Sequence, residues 1–157
     1  MRRYICETFD GVRVLEGSGD TFLLYDPAGD LPPERQLPFV TIVTGDHYDS
    51  VSRLDRPGTY RLNIGLTRAT YTARFGTAPT GHEIDYAAVD TVMPHPVYSG
   101  QYWVCVVNPG PATLETVRTL VAEAHAFAAR KYANREARGA GNVSQPSGEG
   151  TDDRGHR

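Results

Sequence analysis

Short runs in which apolar and polar residues alternate with a period of two fill the first two thirds of the chain, and one long run with helical period follows. Val12, Val14 and Leu15 lead into Gly17-Ser18-Gly19-Asp20 and Thr21-Phe22-Leu23-Leu24-Tyr25 leads out, which predicts a hairpin over residues 11–25. Phe39-Val40-Thr41-Ile42-Val43-Thr44 is rich in β-branched residues and predicts a third strand. Arg56-Pro57-Gly58-Thr59 has Pro and Gly where a type II turn needs a fixed negative φ and then a positive one. Beyond it, Tyr60, Leu62 and Ile64 alternate with Arg61 and Asn63 in a half-buried fourth strand. Tyr102-Trp103-Val104-Cys105-Val106-Val107 is apolar on both faces, the mark of a central or doubly covered strand.

Helical signals bracket these strands. Residues 4–9 predict a short opening helix ended by Asp10-Gly11. Residues 66–76 predict a second, with Thr67 as N-cap, Leu66 and Tyr71 as a hydrophobic staple and Gly76 as the left-handed stop. After Pro109-Gly110-Pro111, Thr113 caps the longest helix, whose Leu114, Val117, Leu120, Val121, Ala124, Phe127 and Ala128 form one stripe; His125 and Arg118 fall on its solvated side. The connections read as an irregular proline-rich segment at 31–38, a polar loop at 45–56 and a loop at 77–81. Residues 84–92 stand between strand and turn, and Met93-Pro94-His95-Pro96 is too proline-rich for helix or strand. The predicted architecture is α+β: an antiparallel sheet of about five to six strands with a long C-terminal helix packed on one face. Residues 1–138 form a single domain, and 139–157, without apolar anchors, a disordered polar tail.

Charge narrows the partners. Residues 1–129 hold ten arginines against fifteen acids, whereas 130–138 carry four basic residues and one acid. An acidic globe disfavours nucleic acid, leaving only the basic helix end, Arg130, Lys131, Arg135 and Arg138, to contact phosphate. The helix dipole accounts equally well for those charges. Cys6 and Cys105 lack disulfide or C-x-x-C spacing and read as small buried hydrophobes in a reduced, cytoplasmic protein. No apolar run approaches a membrane span, so no membrane partner is expected.

Four segments carry a family resemblance. Thr21-Phe22-Leu23-Leu24-Tyr25-Asp26-Pro27, Pro38-Phe39-Val40-Thr41-Ile42-Val43-Thr44, Leu54-Asp55-Arg56-Pro57-Gly58 with Arg61-Leu62-Asn63-Ile64-Gly65, and His95-Pro96-Val97-Tyr98 followed by Trp103-Val104-Cys105-Val106 resemble, in order and spacing, the DUF6194 family of uncharacterised actinobacterial proteins over residues 4–132. The layout is more distantly similar to the MmcQ/YjbR-type domains, which implies a small fold like that of CyaY. Neither resemblance implies a reaction.

The residues themselves offer no nucleophile-base-orienter set, no metal-ligand spacing and no cofactor motif. Asp55, Arg56, Arg61 and Asn63 admit two readings: an anion site, or a structural ion pair in which Asp55 accepts from Arg53 or Arg56. His95, held between two prolines, is a base or a hydrogen-bond donor if it faces a cleft, and otherwise part of a rigid turn; Tyr98 and Trp103 are near enough to line the same pocket. A zinc site from His47, Asp49, His82, Asp85 and His95 has no recognised spacing. The expected function is a non-enzymatic module that binds a small molecule or a protein, without cofactor or metal, through Arg56, Arg61, Asn63, His95, Tyr98 and Trp103. Its rivals are an enzyme using His95 as general base with Arg61 as anion anchor, and a nucleic-acid-associated protein acting through the basic helix end.

Overall fold

A computed structural model describes residues 1–77 and 83–141 of the chain. Most of the expected 77–81 loop, His82, and the tail after Gly141 lie outside the described residues. In chain order the elements are α1 (Arg2–Thr8), β1 (Val12–Gly17), β2 (Asp20–Tyr25), β3 (Val40–Val43), β4 (Arg61–Gly65), α2 (Arg68–Phe75), β5 (Met93–Pro94), β6 (Trp103–Val107) and α3 (Leu114–Gly141). The strands form one antiparallel sheet in the order β1-β2-β3-β4-β6-β5. The protein is therefore α+β, a six-stranded antiparallel sheet with a long C-terminal helix.

Local chemistry makes these elements as expected. Ser18 and Gly19, both at positive φ, close the hairpin between β1 and β2. Gly58 adopts φ of 70° and the Thr59 N–H donates to the Arg56 carbonyl, closing the turn before β4. Thr67 Oγ1 accepts from the Thr70 N–H at the start of α2, and Gly76 ends that helix at φ of 77°.

Side-chain alternation sorts each central strand onto two faces. Leu23, Val40, Leu62, Ile64, Val104 and Val106 point to one face, where Ile5 of α1, Tyr71 of α2 and Val117, Leu120, Val121 and Ala124 of α3 complete the main core. Thr41, Val43, Arg61, Asn63, Trp103, Cys105 and Val107 point to the other. There the cover is loops: Val43, Cys105 and Val107 meet Leu54, Met93, Ile84 and Tyr86 in a smaller apolar cluster.

The structure corrects several expectations. Arg61 and Asn63 are not on a solvated strand face but 2% and 3% exposed, because the 45–56 loop folds over them. Met93–Pro94 is a strand after all; it lies at the sheet edge, where proline's missing N–H costs no ladder hydrogen bond. Cys6 is exposed rather than buried, while Cys105 is buried. His125 is half-buried, its Nε2–H donating to the Asp10 carbonyl and its ring packed among Phe9, Tyr25 and Phe39, so it belongs to an aromatic cluster rather than to the solvated side. Finally, the cap of α3 comes from elsewhere in the chain. Asp90, at φ of 52°, accepts from the N–H groups of Gly110, Ala112 and Thr113, and the Thr113 hydroxyl donates to it instead of capping the helix itself.

Candidate functional site

The loop-covered face of the sheet is organised by one buried guanidinium. Arg61 Nη1 and Nη2 donate to the two carboxylate oxygens of Asp49 at 3.0 and 2.8 Å, Nη1 also to Ser52 Oγ at 2.9 Å, and Nε to Asn63 Oδ1 at 3.1 Å. Asn63 Nδ2 passes the chain on to Thr41 Oγ1 at 3.0 Å. The hydrogen bonds from Arg61 hold Asp49 below the usual carboxylate range against the opposing effect of its burial. Arg61 and Asp49 thus form a bidentate pair that fastens the 45–56 loop to β4, whereas among the described residues Asp55 forms no ion pair with Arg53 or Arg56.

Beside this network, β5 and β6 present His95. The His95 N–H donates to the Trp103 carbonyl at 3.0 Å, extending the β5–β6 pairing by one residue. Its ring Nδ1 accepts from the N–H groups of both Val97 and Tyr98, each at 3.0 Å. Nδ1 therefore carries a lone pair and Nε2 carries the proton. Burial, then the charge of Arg61, pushes the imidazole down to about 4, with Asp49 opposing weakly. At neutral pH His95 is an uncharged donor through Nε2. No buried side-chain nitrogen or oxygen among the described residues lacks a hydrogen-bond partner, and Nε2 has no protein partner, so Nε2 reaches open space.

That space is a cavity of about 540 Å³ on the loop-covered face, reached at one edge by Lys131 of α3. Arg61, Asn63 and Thr41 floor it, His95, Tyr98, Gln101 and Trp103 wall one side, and Tyr48 with Asp49 and Leu37 with Pro38 close the others. Five of the six residues singled out from sequence, Arg61, Asn63, His95, Tyr98 and Trp103, line this one hollow. Arg56 does not; its guanidinium donates to the carbonyls of Arg53, Ser52 and Ala87 and ties two loops together. Trp103 faces Gly65 across the β4–β6 ladder, and a Cβ there would stand 2.9 Å from the indole, so glycine is what lets the ring lie flat on the strand.

Sequence reading missed Asp49 as a partner of Arg61, and it missed Tyr48, Leu37 and Lys131 in the cavity wall. The available signal was an aromatic inside an otherwise polar loop: Tyr48 is 61% exposed, and His47, which contacts Asp20 at 2.5 Å, stacks against it. Of the suggested zinc ligands, His47 is spent on Asp20, Asp49 on Arg61 and His95 Nδ1 on backbone. Among the described residues no three His, Cys, Asp or Glu side chains converge to hold a metal. The Cys105 thiol is sealed and pushed up to about 12 by burial, an inert side chain.

Fold and site together define a small α+β domain whose sheet is covered by helices on one face and carries a polar-floored, aromatic-walled cavity on the other. Residues 1–137 match the model described as a family of unknown function, DUF6194, and the chain belongs to that family. No curated protein and no solved structure matches it. No helix among the described residues is long and apolar enough to cross a membrane.

Proposed function

We propose that this protein is a non-enzymatic module that binds a small molecule in the cavity on the loop-covered face. The observation that carries the reading is one hollow of about 540 Å³ in which an uncharged His95 Nε2–H faces aromatic and apolar walls. Pockets for small ligands have this size and this mixture of apolar lining with few oriented polar groups. The ligand supplies a hydrogen-bond acceptor to Nε2 and a flat apolar body to Tyr98 and Trp103, while Asn63 and Arg61 shape the floor. A general base needs a free lone pair and a basicity suited to neutral pH. His95 offers neither at Nε2, which favours binding over the enzymatic alternative. The two free thiols support a reduced, cytoplasmic setting.

Thermal-shift screening of the full chain against a library of metabolites and antibiotics tests the proposal. Hits should stabilise the parent and lose most of that shift in His95→Asn, in which Oδ1 still accepts from the Val97 and Tyr98 amides but no Nε2–H remains. Hits that stabilise both proteins equally would remove the cavity from the account.

A further inference from the structure

One cation of the cavity wall, Lys131, has no ion-pair partner among the described residues. Lys131 of α3 lines the cavity and also a shallow depression of about 50 Å³ on its other side, and the depression is bordered by Arg35 and Arg135 as well as Glu136. Among the described residues none of these three cations forms an ion pair. The helix dipole, the reason expected from sequence for Lys131 and Arg135, does not explain them, because its effect fades within the last turn and α3 runs on to Gly141, with Arg138 as the basic residue of that turn; Arg35 lies outside the helix. The Lys131 ammonium sits 4.3 Å from the Phe127 ring centroid. Partial burial, and then the charge of Arg135 beside it, lower its pKa from the ordinary lysine value. Inside the cavity the one carboxylate is Asp49, already neutralised by Arg61. The remaining rim is apolar: Leu37, Tyr48, Val97 and Tyr98 line the cavity and are all at least half exposed.

We propose that the ligand is an aromatic anion, its rings against the Tyr98 and Trp103 wall and its carboxylate, sulfonate or phosphate paired with Lys131, with Arg35 and Arg135 behind. This specifies the ligand class for the cavity and rests on the reading that the cavity binds a small molecule. A cation at the edge of an apolar hollow discriminates by charge, since an anion gains a charge-assisted hydrogen bond there and an uncharged analogue gains only burial.

Two fluorescent probes with the same rings test it: anilinonaphthalene sulfonate and the uncharged phenylnaphthylamine, titrated into the parent, Lys131→Gln, Lys131→Arg and Tyr98→Ser. The sulfonate should bind the parent more tightly than the neutral probe, weaken about three- to tenfold in Lys131→Gln, and recover in Lys131→Arg. The neutral probe should change less than about twofold between the parent and both Lys131 variants. Both probes should lose affinity in Tyr98→Ser, which removes the ring wall that they share. If both bind but Lys131→Gln treats them alike, the anion site falls and the cavity stands. If neither binds the parent, or Tyr98→Ser leaves both unchanged, the anion site and the cavity reading fall together. Each variant's cooperative thermal unfolding shows that the fold is kept.

Discussion

On the helix-covered face of the sheet, Leu62 and Ile64 of β4 meet Val104, Val106, Val117 and Val121 in an apolar core; on the reverse, Arg61 and Asn63 of the same strand are as deeply buried but wholly committed to hydrogen bonds. The first face tolerates any shape-matched apolar filling, because its free energy is proportional to area removed from water. On the second face each buried polar atom needs a particular partner at a particular distance. The loop-covered face can therefore hold open an ordered hollow, its floor rigidified by a satisfied polar network, while the helix face supplies the bulk of the stability.

Substituting one residue on each face separates these roles. Arg61→Ala should cost about 3–5 kcal/mol by denaturant titration, since it leaves Asp49 as a poorly compensated charge and strips Ser52 and Asn63 of a donor. Replacing both partners, as Arg61→Met with Asp49→Leu, should restore most of that loss. A cost under about 1 kcal/mol for Arg61→Ala would show that the network does not hold the loop. Ile64→Ala, opposite in direction on the same strand, should cost about 2–5 kcal/mol, yet leave hydrogen-exchange protection of residues 45–56 relative to the rest of the protein unchanged.

Acid should act on the cavity face first. His95 has its folded value lowered from 6.5 to about 4, so between those limits the unfolded chain binds more protons than the folded one and stability falls as pH falls. The loss should amount to about 2–3 kcal/mol across that window and be absent in His95→Asn. Asp49 and Asp90, both held below the ordinary carboxylate value of 3.8, contribute stability above that value that disappears on further acidification. A flat stability profile between pH 6.5 and 4 in the parent would contradict the buried, neutral imidazole.

Smaller changes probe the wall. Gly65→Ala should destabilise by about 1–3 kcal/mol and shift the emission of the protein's one tryptophan, because the new methyl meets the indole; unchanged emission would mean that Trp103 does not rest on Gly65. Tyr98→Ser, at a half-exposed position, should change stability by less than about 0.5 kcal/mol while weakening cavity ligands. Loss of stability without loss of affinity would reverse the assignment of that residue.

Which of this could be read without coordinates follows from the range of each interaction. The turn at Pro57-Gly58, the Thr67 cap and the two-faced β6 are settled by neighbours in the chain, and all were legible. His95, Tyr98 and Trp103 stood out as neighbours within nine positions, which suffices to bring them near one cleft. The Asp49 pairing did not stand out, because a carboxylate in a polar loop looks the same whether it meets water or a guanidinium twelve residues on. Nor did Asp90, which caps a helix beginning more than twenty residues later. Cys6 and His125 were misjudged for the same reason: whether a side chain on a short or amphipathic helix is covered depends on the other elements that pack there.

By itself the sequence determined the helices, every strand but the two-residue β5 and the division of residues between two sheet faces, since backbone conformation and side-chain alternation are local properties of the chain. Only the tertiary structure decided that the polar face is buried, that the Arg61 guanidinium is satisfied by Asp49, Ser52 and Asn63, and that His95 turns an uncharged N–H into a cavity. Those outcomes depend on desolvation and on partners distant in the chain, and neither exists until the loops have closed over the sheet.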